Sequence, residues 1–259
     1  MSTDFTTVTE IAGDEVTAEQ VERAVHRYIW AGQYCAGKDV LEIACGNGQG
    51  LGYLASVAKS LRAGDIDKNL VERAGAYYGD RIAIDVMDAQ DLPFEDNSLD
   101  VVLLYEALYY IPEADKFMTE CKRVLRNDGH ILIVTANKDL SDFNPSPHSH
   151  VYFGAVELNE LMQKHGFSAD ILGYWPLTSS GFKEKVLRPV KKLVVASGLM
   201  PKTMAGKKLI KRLVFGELVS MPAEISGDMI DYVPPDPIGS DVPDRTHKVI
   251  YCAGSCSTK

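Results

Sequence analysis

The stretch VLEIACGNGQG, Val40 to Gly50, decides the fold. It begins as an apolar strand carrying a carboxylate, Glu42, and passes through Gly46, Gly48 and Gly50 into a helix expected over about 51–59. A strand that feeds a glycine turn opening a helix builds a ligand cradle. Glycine admits a ligand to the backbone where any Cβ would clash, and the first helical N–H groups point at whatever fills the turn. The dinucleotide fingerprint needs a further glycine at position 51, where Leu51 stands. A carboxylate at the strand end suits a cationic amino-acid ligand better than a pyrophosphate.

Two more acids follow at suitable spacing. In LRAGDID a short strand over about 60–64 ends at Asp65, 19 residues after Gly46. The second strand of a βαβ unit presents a ribose-binding carboxylate at about that point. Asp65 could instead cap a helix, but Asp67, just before Leu70 and Val71, fits that role better. In IAIDVMDAQDLPF a third strand ends at Asp88, where an acid can accept from an exocyclic adenine amine or serve as a plain loop acid.

With these stations in order, the chain resembles class I S-adenosyl-L-methionine-dependent methyltransferases of the small-molecule type, over roughly Val21 to Tyr174 and again from Arg245. The resemblance places Glu42, Ala44, Gly46 and Gly48 in the family's first motif, with Ala44 standing where glycine is usual. It implies that Asp65 with Ile66, Asp88 with Ala89, Tyr105 and Tyr28 contact the cofactor, which leaves as S-adenosyl-L-homocysteine. The segment His26-Arg27-Tyr28, in a helix expected over Ala18 to Ala36, is similar to one in methyltransferases of bacterial surface-glycan clusters, whose helix folds over the cofactor. Tyr28 could equally be a core residue. The implied fold is an α/β, doubly wound, Rossmann-like sheet of seven strands, mostly parallel with one antiparallel strand.

Composition agrees with an enzyme of this size. The 259 residues are 46% hydrophobic, enough for one large α/β core. Five cysteines without CxxC spacing argue against a disulfide framework. No metal-ligand spacing is present beyond His148-Ser149-His150, which reads as two loop histidines. The polar, acidic N-terminus and the lack of a long apolar run lead to the expectation of a cytoplasmic protein.

Between the sixth strand, about Ala169 to Tyr174, and the seventh, His247 to Ala253, lies a long excursion. The domain is expected to comprise 1–174 and 245–259, with 175–244 as an inserted helical, proline-rich cap. Its helices are expected near Lys183 to Ser197 and Thr203 to Phe215. Residues 183–212 hold ten Lys or Arg and one acid, a charge of +9, whereas the chain as a whole carries −9, leaving −18 elsewhere. Such a patch can be a solvated face, a clamp for an anionic acceptor or a peripheral dock on anionic lipid. The acidity elsewhere argues against nucleic acid. Leaving the ligand edge of the sheet, the excursion is placed to cap a phosphorylated acceptor, a sugar on a nucleotide or glycan carrier. The expected reaction is O-methylation, with N-methylation of an amino sugar or natural product, or a noncatalytic cofactor-binding subunit, as alternatives. A hydroxyl acceptor needs a base, and His150, His148 and Tyr110 are the candidates, with Tyr109 and Tyr110 equally able to be core aromatics.

Overall fold

The computed structural model describes residues 5–146, 148–177 and 218–256. The chain enters through β1 (Glu15–Thr17) and α1 (Ala18–Cys35). The Thr17 hydroxyl accepts from the Gln20 backbone while the Gln20 side chain accepts from the Thr17 N–H, a capping box that fixes the helix start. There follow β2 (Asp39–Ile43), α2 (Leu51–Val57), β3 (Ser60–Asp65), α3 (Lys68–Tyr78), β4 (Ala83–Val86), β5 (Leu99–Tyr105), α4 (Ala114–Val124), β6 (Leu125–Ala136), α5 (Ala155–Lys164) and β7 (Phe167–Pro176). Then come β8 (Leu218–Ser220), β9 (Asp236–Pro237) and β10 (His247–Cys256). Asp67 caps α3 by accepting from the Asn69 N–H.

The main sheet runs β4-β3-β2-β5-β6-β10-β7-β9. The strands from β4 to β6 are parallel, and β10 lies antiparallel between β6 and β7. The runs DVLEI and LDVVLLY are apolar on both faces because both faces are covered. Val101, Leu103 and Tyr105 pack with α1 residues Val25, Tyr28 and Trp30. Val102 and Leu104 pack on the other face with Phe117 and Met118 of α4 and Leu158 and Met162 of α5.

Seven strands of this sheet are those expected. The eighth, β9, is two residues from the proline-rich run, paired with Leu172 and Gly173 of β7. Proline cannot donate to a ladder, so Pro237 fits only at a sheet edge, where it lies. The expected helices over 183–197 and 203–215 lie outside the described residues. The described remainder of the excursion returns to the body of the protein. There β8 pairs antiparallel with β1, and Ile225 is buried in the core beside α1.

Candidate functional site

A pocket of about 610 Å³ opens at the carboxyl ends of β2, β3 and β5. Strand order reverses between β2 and β5, so the loops leaving them face one crevice. The glycine turn forms its floor. Ala44 (φ 58), Gly46 (φ 58) and Gly48 (φ 77) all adopt the left-handed backbone. Glycine takes that conformation freely and alanine at a cost of roughly 1–2 kcal/mol, which explains why glycine is usual at position 44. A Cβ on Gly50 would fall 2.0 Å from the Tyr28 ring, so glycine there is what lets α1 lay its tyrosine over the turn.

Three carboxylates line this pocket. The Tyr28 hydroxyl donates to Glu42 Oε1 at 2.6 Å, while Glu42 Oε2 is buried with no hydrogen-bond partner. Burial is the largest influence on Glu42 and pushes its pKa up to about 7, against the lowering effects of Tyr28 and Arg27. Asp65 accepts from the N–H groups of Gly46 and Asp67, both at 2.9 Å, and burial raises its pKa. Asp88 is exposed and accepts from the Gln90 N–H at 2.8 Å in a tight turn. Ile66, Ala89 and Tyr105 line the same pocket.

The acid–base candidates separate. Tyr110 and His150 line the pocket, and the His150 N–H donates to the Tyr109 carbonyl at 2.7 Å. His148 is exposed, has φ 67 and is not among the lining residues. The structure therefore brings His150 but not His148 to the pocket lining.

Several lining residues were not singled out from the sequence. Arg27 sits with Cζ 5.6 Å from the Tyr28 ring centroid and 5.8 Å from that of Tyr105, and its buried Nε has no hydrogen-bond partner. Burial opposes its charge, but Tyr28, Glu106, Tyr251 and Glu10 together favour it and raise its pKa. Gln20, Arg23 and Arg27 all line the pocket and recur at positions 20, 23 and 27, a polar stripe at helical spacing on an otherwise packed helix. That stripe was the signal available. Residues 5–14 cross the pocket as an arm. The Phe5 N–H donates to Asp67 Oδ2 at 2.8 Å, Gln49 Nε2 donates to the Glu10 carbonyl at 2.7 Å, and Gly13 donates to the Met221 carbonyl at 2.9 Å. The Phe5 and Tyr110 rings touch with centroids 5.3 Å apart.

Residues 41–133, the glycine turn through β6, match the family described as Methyltransferase domain. A probable S-adenosylmethionine-dependent methyltransferase of Mycolicibacterium smegmatis is 35% identical over 159 residues, 59% of this chain and 58% of that one. Through this stretch the chain is similar to S-adenosylmethionine-dependent methyltransferases. It spans little more than half the length of the curated relatives just named or similar to it. A fatty-acid O-methyltransferase of the same organism is 38% identical over 105 residues, 39% of this chain and 38% of the relative. Among solved structures, the YcgJ protein of Bacillus subtilis shares the fold, with a TM-score of 0.59, 17% identity, and coverage of 92% of this chain and all of that one.

The residues of this pocket fit S-adenosylmethionine. Its amino-acid end is a zwitterion. Among the groups that line the pocket, Glu42 Oε2 and the Nε atom of Arg27, like that of Arg23, are shielded and have no hydrogen-bond partner among the described residues. Buried polar atoms without partners cost about 1–3 kcal/mol each, so a ligand offering an ammonium and a carboxylate would relieve them. Asp65 and Asp88 line the same pocket, at the end of β3 and just past the end of β4.

Proposed function

We propose that this chain transfers the methyl group of S-adenosylmethionine to a hydroxyl of a polar, sugar-like acceptor borne on a phosphorylated or glycan carrier. The observation that carries the acceptor class is the lining beyond the cofactor residues. Glu10, Gln20, Arg23, Glu106 and His150 bring charge and hydrogen-bonding capacity there, beside the aromatic rings of Phe5, Tyr109 and Tyr110. Such a wall satisfies a polyhydroxylated molecule. It would strip water from its charged groups without replacing it if an acyl chain entered. The +9 charge of residues 183–212 supports an anionic carrier.

When bound, the cofactor supplies a methyl group already activated by a sulfonium. The chain's own residues bind, align and deprotonate. Glu42 and Arg27 would hold the amino-acid end, Asp65 the ribose and Asp88 with Ala89 the adenine. Most of the acceleration comes from holding the acceptor oxygen in line with the methyl carbon. A fatty-acid or polyketide-type acceptor is the second reading, favoured by the fatty-acid O-methyltransferase relative.

A turnover panel decides between them, with UDP-hexoses and hexose phosphates in one arm and long-chain fatty acids in the other, read as release of S-adenosylhomocysteine. Turnover confined to the sugar arm is expected. Turnover confined to the fatty acids would replace the acceptor class, and cofactor binding without turnover on either would leave a binding subunit.

A further inference from the structure

We propose that Glu106 is the proton acceptor for the hydroxyl that receives the methyl group, an inference that rests on the methyltransferase reading above. Glu106 is the first residue after β5, beside β2 at the centre of the sheet and at the point where strand order reverses. Its carboxylate lines the same pocket as Glu42 and Gly46.

Its backbone is held in a conformation glutamate avoids, with φ 51. A non-glycine residue persists there only when its surroundings fix it, and such residues cluster at functional sites. Here two bonds fix it. The Glu106 N–H donates to the Val134 carbonyl at 2.7 Å, and the Tyr109 hydroxyl donates to Glu106 Oε2 at 3.2 Å. Tyr109 is buried, which keeps its phenol protonated and able to donate. One carboxylate oxygen is thereby tied down, leaving Oε1 for a ligand. Arg27 lines the same pocket, and the charge of Glu106 is among the influences that keep it protonated. By contrast, the bond described for His150 is through its backbone N–H, and the residue is exposed.

The chemistry balances without a further reactant. Glu106 takes the acceptor's O–H proton as the oxygen lone pair bonds to the methyl carbon. The carbon–sulfur pair returns to sulfur, and the proton leaves Glu106 for solvent after release.

Sinefungin tests this without knowledge of the acceptor, because it carries an amino group where the methyl donor carries its sulfonium methyl. A carboxylate poised at the acceptor position binds that ammonium, whereas S-adenosylhomocysteine offers it nothing. By calorimetry, Glu106→Gln is expected to weaken sinefungin at least tenfold and leave S-adenosylhomocysteine within twofold. Glu106→Asp, with its charge on a shorter arm, is expected to fall between. Unchanged sinefungin affinity in Glu106→Gln, or a loss found in His150→Ala instead, overturns the assignment. If Glu106→Gln loses both ligands, Glu106→Asp carries the test, and an equal effect on the two ligands there also overturns it. Failure of the wild type to bind S-adenosylhomocysteine at all is a different result, and it removes the methyltransferase reading itself.

Discussion

Glu42 is buried among Tyr28, Arg27 and Asp65 with one oxygen bonded and one not. Its pKa of about 7 in the folded chain lies above its usual 4.5, so the free protein is stabilised relative to its ionised form only at low pH. That contribution is complete below the unfolded pKa and is lost as pH rises through about 7. Unliganded wild type is therefore expected to lose stability between pH 5 and 8 relative to Glu42→Gln, measured by thermal denaturation. The ligand's ammonium favours the carboxylate, so binding at pH 6 should release a proton. Calorimetry in two buffers of different ionisation enthalpy reads this directly. Equal apparent enthalpies in the two buffers at pH 6 would mean that Glu42 does not meet the cation. The same residue scale shows where sequence reading reached and where it stopped. Glu42, Asp65 and Asp88 could be read because each ends an apolar strand. Glu106 ends LDVVLLY by the same grammar, yet its importance rests on a backbone angle and a tyrosine contact, which no spacing encodes.

Among the elements, the long ones announce themselves. Helix α1 and strands β2, β5, β6 and β10 carry strong periodicity or long apolar runs, and the expected bounds of α1 and β10 agree with the structure within a few residues. The pairing of β1 with β8 could not be read. Each is three residues long, and about two hundred residues separate them, so neither local propensity nor alternation marks the contact. That pairing anchors one end of the arm over residues 5–14, and Asp67 anchors the other, with Oδ1 capping α3 and Oδ2 accepting from Phe5. Asp67→Ala should cost about 1 kcal/mol from the lost cap alone. It should also free the arm, raising the rate of proteolytic cleavage before residue 15 while α3 stays folded. Unaltered cleavage would show that β1 and β8 hold the arm unaided.

Across the whole molecule, charge is sorted along the sequence, +9 within residues 183–212 and −18 elsewhere. Lys191→Glu combined with Lys192→Glu is expected to raise the KM for a nucleotide-sugar acceptor several-fold and to leave S-adenosylhomocysteine affinity unchanged. The effect should shrink as salt rises, since exposed charges are screened over about 8 Å at physiological ionic strength. Release from anionic vesicles with unchanged kinetics would assign the charge to a lipid surface instead. Among the described residues no helix is long and apolar enough to cross a membrane.

The sheet register places Pro176 of β7 directly opposite His247 of β10. The chain thus departs for some seventy residues and rejoins on the same rung, as a detour leaves a road and returns at one junction. Closing such a loop costs only about 0.6 kcal/mol more for each doubling of its length. The ladder between β7 and β10 is accordingly indifferent to how much chain is spliced in there. Related proteins could lengthen or shorten the part of this stretch between β7 and β8 while β8, Ile225 and β9 keep their places on the body.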